Sequence, residues 1–332
     1  MKRSYFLLLL FGFASFSMCN QVIEALKTRK FDLLAGKKIM VTCNKAPYDD
    51  VPSFGLGDAF LFLRFVVDYL ETECKSHVVL VPPKALCRFF SLCSDIPVVE
   101  PGNPLYDECI SVECRDLLQH IPDIQKFESK KRFLGKNCIW ANAQVQKIVS
   151  HLKKRNIIPV LITRQSNYYK LKSKSEENIF GYLNNRSISR QELADIVQGV
   201  SEQVRVYNIQ FEDQKLPDIA GVQKPTVIYP EYDNYMGAFV QDAILMKAVL
   251  QAGGYVVSVE TAAGHLACGV VDVCDTRKNI IMLLGKQYSC RWKSPFLNED
   301  GSVTWSANTK LIIQEKAGDW TDVGKKLRAS FN

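Results

Sequence analysis

The run Val257-Ser258-Val259-Glu260-Thr261-Ala262-Ala263-Gly264-His265-Leu266-Ala267 gathers a carboxylate, a hydroxyl, small residues and an imidazole in one short stretch. Tyr255 to Val259 is rich in β-branched residues and predicts a buried strand, and Ala262 to Cys268 predicts the helix that follows. The start of a helix offers N–H groups without intrahelical acceptors and a partial positive charge, so this arrangement suits an anion such as a diphosphate. Small residues at 262 to 264 would let a ligand approach the backbone closely. Thr261 and His265, four residues apart, add hydrogen-bonding groups. The same spacing equally fits a plain strand–turn–helix, with Glu260 a solvated cap and His265 packed against the core.

Gly55-Leu56-Gly57-Asp58 is a second candidate. Gly55 and Gly57 permit unusual backbone angles and near contact with a ligand, and Asp58 would stand at or beside the N-cap of the next helix. The third glycine of a dinucleotide fingerprint is missing. Alone, the motif reads as well as a capping aspartate after a glycine turn.

The elements that must hold these residues alternate between strand and helix. Ile39 to Cys43 predicts a first strand, Ala59 to Cys74 a helix, His77 to Val81 a strand and Lys84 to Leu92 a helix. Short strands are expected at Pro97 to Glu100 and Glu108 to Val112. In the helix from Ala59, Arg64, Asp68 and Glu71 lie at helical spacing and predict one narrow wet face. A second unit is expected from residue 155, after a helix over Gln144 to Lys154. It comprises a strand at Ile157 to Thr163, a polar loop over 165–185, a helix at Arg190 to Val200 and a strand at Val204 to Ile209. A strand at Thr226 to Tyr229 and a helix at Ala238 to Ala252 lead into the opening strand–helix. Strands at Asn279 to Leu284 and Lys310 to Gln314, then a helix at Asp319 to Ser330, close the chain. This alternation predicts an α/β fold with parallel sheets, in a domain over 20–154 and another over 155–332, with a ligand cleft between them.

Composition narrows the setting. Lys2 and Arg3, the apolar run Tyr5 to Phe16 and the small residues beyond it have the pattern of a secretory signal over residues 1–19, with an uncleaved anchor as the alternative. The signal predicts an exported protein, and since no other stretch is long and apolar enough to be expected to cross a membrane, a soluble mature chain is expected. Beyond Cys19, ten cysteines remain, an even number that permits disulfides in an oxidising compartment; buried thiols are the alternative. With no C-x-x-C pair and only four histidines, no zinc site is expected. The net charge of +7 is scattered rather than gathered in one stripe, which argues against nucleic acid and fits an anionic small substrate.

Taken together, the motifs resemble glycosyltransferase family 9, which includes the lipopolysaccharide heptosyltransferases and the glycosyltransferase domains found behind tetratricopeptide repeats. Gly55-Leu56-Gly57-Asp58 with Phe62-Leu63-Arg64-Phe65 is similar to the family's N-terminal motif, and Tyr106-Asp107-Glu108-Cys109 to its acidic segment. Asn185-Arg186-Ser187-Ile188 resembles its "RSI" element, and Val204 to Gln210 its "V-x-F-x-x-L-Q" strand. Ser258-Val259-Glu260-Thr261 through His265-Leu266-Ala267 resembles its donor motif. Cys290-Arg291-Trp292 and Gly318-Asp319-Trp320 fall where the family has "D-W-R-W" and "G-D-W".

The resemblance implies a GT-B-like architecture, two Rossmann-like domains facing across a cleft, and an inverting transfer of a sugar from a nucleotide-diphosphate sugar to a hydroxyl of a glycan, lipid-linked or protein acceptor. In that scheme Asp58 is the catalytic base, with Gly55 and Gly57 on the acceptor side. Glu260, Thr261, Gly264 and His265 bind the donor, and Arg164, Arg186 or Arg291 neutralises phosphate. No metal is implied. The sequence also departs from the family. Glu260 replaces the usual aspartate, Pro159 to Arg164 lacks the glycine and tryptophan of "V-G-L-x-W", and an export signal is odd for an enzyme whose donors are chiefly cytosolic. An exported, non-catalytic binding relative is therefore the second expectation.

Overall fold

In the computed structural model, the described residues are 18–43, 56–99, 109–121, 133–135, 137–165, 186–210, 213, 217–232, 239–271, 277–286, 288, 297, 303, 306 and 308–331. Most of the expected signal segment, Gly55, Arg291 and nearly all of the polar loop 165–185 lie outside them. The chain divides into two compact units, Met1–Gly135 and Lys136–Asn332.

The first unit begins with helix α1 over residues 18–27, which buries Val22, Ala25 and Leu26. Strands β1 (Lys38–Thr42), β2 (His77–Val81) and β3 (Ile110–Glu113) form a parallel sheet in the order β2-β1-β3. The strand expected at Pro97 to Glu100 is reduced to a single parallel bridge between Leu80 and Val98. A turn of 3-10 helix over Phe31–Leu34 and helices α2 (Leu56–Thr72), α3 (Lys84–Cys93) and α4 (Cys114–His120) complete the described elements of this unit. Phe60, Phe89, Phe90 and Phe133 make a buried aromatic cluster with ring centroids 4.9 to 6.3 Å apart, most of them edge to face.

The wet stripe expected on α2 is not there. Arg64 and Asp68 are buried at 1% and 3% exposure, and only Glu71 is partly open. The helix packs against both β2 and α4, with Tyr69 edge-on to Phe31, so the polar face is covered as well. The Arg64 guanidinium lies over the Phe65 ring at 4.6 Å.

The second unit opens with α5 (Ile139–Lys154), which the sequence places at the end of the first domain. It packs lengthwise on α7 (Phe239–Gln251), and that packing moves the boundary to residue 135. Strands β4 (Ile158–Thr163), β5 (Val204–Asn208), β6 (Val222–Gln223), β7 (Tyr255–Val259), β8 (Ile280–Leu284) and β9 (Thr309–Ile313) are all parallel, in the order β6-β5-β4-β7-β8-β9. The central strands β4, β7 and β8 are nearly continuous apolar runs because both faces are covered. On one face Val160, Ile162, Val257, Val259, Ile281 and Leu283 meet α6 (Arg190–Val197) and α9 (Thr321–Arg328) through Ile196, Trp320 and Leu327. The alternate residues point to the other face, where α7 and α8 (Ala262–Val270) lie. The strand expected at Thr226 to Tyr229 is a single turn of 3-10 helix over Pro225–Val227, with the proline at its start. Between α7 and β7, Gly253 takes a left-handed φ of +85° and Gly254 sits so close that a Cβ would collide with the Pro159 carbonyl oxygen.

Candidate functional site

The second sheet has the strand order of a doubly wound fold. Counted from β4, the order is 3-2-1-4-5-6, so the chain leaves β4 toward one edge and leaves β7 toward the other. A crevice opens outside the carboxyl ends of strands at such a reversal, and ligands of open α/β sheets bind there. Thr163 of β4 pairs with Ser258 of β7 at that edge. Arg164 follows one strand, and Glu260 and Thr261 follow the other. The expected donor motif is therefore placed at the reversal by topology.

Arg186 reaches the same place from the far end of the 165–185 segment. Its Nη2 lies 3.0 Å from Glu260 Oε2 and donates to the Glu260 carbonyl oxygen at 2.9 Å. Both side chains are largely buried, at 11% and 4% exposure. Glu260 is consequently not a solvated cap; it is half of an ion pair, and its carbonyl is engaged by the same guanidinium.

Thr261 is the N-cap residue of α8, yet its side chain makes no capping bond. Its Oγ1 lies 3.0 Å from Ser258 Oγ, which donates to the Val259 carbonyl at 2.7 Å. Since the Ser258 proton is used there, Thr261 is the donor of the pair. The first-turn amides of α8 are left uncapped by it, at a helix start where Ala262 and Ala263 are partly exposed. His265, one turn further, is buried at 2% exposure. Gly264 is buried too, and a Cβ there would fall on the end of Met282, 2.5 Å from its Sδ, and 3.4 Å from Ser258 Cβ. Its small size serves the close approach of α8 to β7 and β8.

Arg164 differs from the sequence expectation as well. Its Nε and Nη2 each lie 2.6 Å from one oxygen of Asp213, and Nη1 donates to the Ile188 carbonyl at 2.9 Å. All three guanidinium nitrogens are engaged within the protein, so Arg164 is not a free phosphate ligand in this state. Asp213 also accepts from Arg190 Nη1 at 3.0 Å and from Asn208 Nδ2 at 2.6 Å. Burial pushes the Asp213 carboxyl up, but the hydrogen bonds from Arg164, Asn208 and Arg190 outweigh it and hold the group below its ordinary value. The sequence reading missed this hub. An aspartate just past a strand carries no local signal, and its partner Arg164 is 49 residues away.

In the first unit the strand order also reverses, between β1 and β3, and Thr42 pairs with Glu113 at their carboxyl ends. Asp58 lies in the first turn of α2, partly buried, with Gly57 beside it. Cys43 and Cys114 are buried at this edge. Their thiols are pushed up by burial, then by neighbouring groups that include Glu113 and Asp58, which places both carboxylates near the sulfurs. A recess of about 550 Å³ lined by Lys38, Glu71, Lys75 and His77 lies at the amino ends of β1 and β2, the opposite edge of that sheet. Among the described residues there is no disulfide, no group of three or more side chains suited to a metal, and no helix long and apolar enough to cross a membrane.

No protein-family model matches the sequence, and no curated protein matches it. Among solved structures, the chain is similar to a crystal structure described as the glycosyl transferase family 9 from Veillonella parvula DSM 2008. The two are 11% identical, with 89% of this chain and 90% of that chain covered and a TM-score of 0.48.

Proposed function

We propose that the chain is a glycosyltransferase using a nucleotide-diphosphate sugar as donor and a hydroxyl group as acceptor. One observation carries the reading: the strand reversal at β4 and β7 brings the 258–267 motif together with Arg186, which the sequence alone leaves more than 70 residues apart. The charge at this crevice is suited to a diphosphate. Arg164, Arg186 and Arg190 face the two carboxylates Asp213 and Glu260, an excess of one positive charge, and the uncapped start of α8 adds its partial charge.

In this reading the donor diphosphate lies against the first turn of α8, with Thr261 and Arg186 beside it. Asp58 of the first unit takes the proton of the acceptor hydroxyl as that oxygen attacks the anomeric carbon. The bond from that carbon to the diphosphate breaks on the opposite side, which inverts the configuration. The released charge is met by the α8 amides and Arg186, donors fixed before the reaction begins. The second reading, binding without catalysis, is favoured by the engagement of Arg164 with Asp213, which leaves one cation fewer for the leaving group.

A thermal-shift screen against ADP-, UDP- and GDP-sugars tests the proposal. A bound donor at a hundred times its Kd stabilises the folded chain by about 2.7 kcal/mol, an easily measured rise in Tm. Arg186→Gln should shrink the shift without erasing it, because the first turn of α8 and Thr261 remain. Asp58→Asn should keep the shift and abolish transfer; binding without transfer in the wild type would select the second reading. No shift with any nucleotide sugar would defeat the proposal.

A further inference from the structure

The Asp213 carboxylate is 3% exposed, and four hydrogen bonds converge on it from three parts of the second unit. Asn208 reaches it from the end of β5, Arg164 from the end of β4, and Arg190 from the start of α6. Arg164 then binds Ile188 twice, since Nη1 donates to the Ile188 carbonyl at 2.9 Å and the Ile188 amide donates to the Arg164 carbonyl at 2.8 Å. Ile188 is fully buried. Arg190 and Ser189 continue the clamp, because Arg190 also donates to the Pro217 carbonyl and Ser189 closes a capping box with Glu192. The segment 188–190 is thus pinned at several points, and two residues before it stands Arg186, whose guanidinium reaches Glu260 at the strand reversal.

We infer that Asp213 is a positioning residue for the anion-binding edge of the crevice: through Arg164 and Ile188 it fixes where the Arg186 guanidinium sits. It touches neither Glu260 nor the start of α8 among the contacts described, so its influence on a ligand there runs through the arginines. Two residues of extended chain span about 7 Å, so a loosened Ile188 moves the root of Arg186 by a useful fraction of that length. A guanidinium misplaced by even 1 Å loses its grip on a phosphate oxygen. The inference rests on the donor-site reading for its functional consequence, but the clamp itself is a property of the folded chain.

The test combines hydrogen exchange with a mutant cycle, using ADP, UDP and GDP as probes. In Asp213→Asn, the Ile188 amide should exchange at least tenfold faster, while amides of β7 and β8 keep their wild-type rates. Nucleotide Kd should weaken roughly tenfold in Asp213→Asn. In an Arg186→Gln background the same substitution should produce no further loss, because the effect passes through Arg186. An equal loss in both backgrounds, or an unchanged Ile188 amide, would overturn the inference. If Asp213→Asn fails to fold, Asp213→Glu keeps the charge but shifts the carboxylate by one methylene, and it is judged by the same two readouts. If no nucleotide binds the wild type, the donor-site reading fails, and the exchange of Ile188 still decides whether Asp213 holds the clamp.

Discussion

Raising the pH should weaken the second unit through a single carboxyl, that of Asp242. The residue lies in the first turn of α7, partly buried, and accepts the Tyr232 hydroxyl at 2.6 Å on Oδ1. Burial pushes its carboxyl up from 3.8 to about 7, against the Tyr232 hydrogen bond, which favours the charged form. The folded chain therefore keeps a proton that the unfolded chain releases near the ordinary value. Below that value both states are protonated and the group contributes nothing. Between it and about 7 each pH unit costs the folded state about 1.4 kcal/mol, and above 7 the penalty is complete. A rise of about 3 units sets a ceiling of about 4 kcal/mol. Partial exposure and the favourable place of an anion at a helix start return about 1 kcal/mol or more, leaving roughly 2 to 3 kcal/mol.

Asp242→Asn isolates this term, because the amide oxygen still accepts from Tyr232 and carries no charge. The four tryptophans, Trp140, Trp292, Trp305 and Trp320, all belong to the second unit, so urea unfolding followed by their fluorescence reports on that unit alone. The two proteins should be equally stable near pH 4, and the asparagine variant should gain steadily until it leads by roughly 2 to 3 kcal/mol near pH 8, with m unchanged. A difference that stays constant across this range, or an asparagine variant weaker at pH 8, would refute the linkage.

Gly254→Ala should destabilise the second unit by about 3 kcal/mol or more, since the new methyl meets the Pro159 carbonyl oxygen, a backbone atom that has no rotamer by which to move away. Urea midpoints by tryptophan fluorescence measure it, and a loss under about 1 kcal/mol would contradict the close approach. Ser189→Ala removes the acceptor for the Glu192 amide at 3.1 Å and should cost about 1 kcal/mol in the same assay. At the acid end the sign is opposite to that of Asp242. Asp213 is held below its ordinary value, so its contribution is full above about pH 4 and is lost as the pH falls through its folded value. Asp213→Asn should flatten that part of the stability curve, and an unaltered acid slope would count against the hub.

The strands and the β7–α8 turn were legible because they depend on local composition. Runs such as Ile280–Leu284 and Tyr255–Val259 are apolar and β-branched over the length of a strand, and small residues with a histidine open the next helix. What a side chain faces was not legible. The spacing of Arg64, Asp68 and Glu71 identifies one face of α2, but whether that face is wet depends on the other elements packed around the helix. The packing of Gly264 against Met282 was hidden because that neighbour lies on the next strand. Arg164 read as a phosphate ligand because Asp213, which occupies it, is distant in sequence. Likewise Thr226 to Tyr229 has strand composition, but Pro225 fixes a helical turn and leaves too little chain for a ladder.

The two strand reversals, each taken by itself, present different charged groups among the described residues, and that contrast is an argument about chemistry. At the carboxyl ends of β1 and β3, Asp58 and Glu113 stand near two buried thiols, and the pushed-up thiols are a direct consequence of low polarity and neighbouring negative charge. A carboxylate is the kind of group that takes the proton of an attacking hydroxyl. At the carboxyl ends of β4 and β7, three guanidiniums outnumber two carboxylates and a helix start adds to them. Surroundings of that sign stabilise a departing anion and oppose a base. A group transfer needs one site of each kind, and a simple binding protein for an anion needs only the second. The carboxylate-lined edge of the first unit is thus the feature that separates the two readings, and a chain that binds nucleotide sugars equally well with Asp58 as carboxylate or as amide, but transfers only with the carboxylate, would show that both edges are in use.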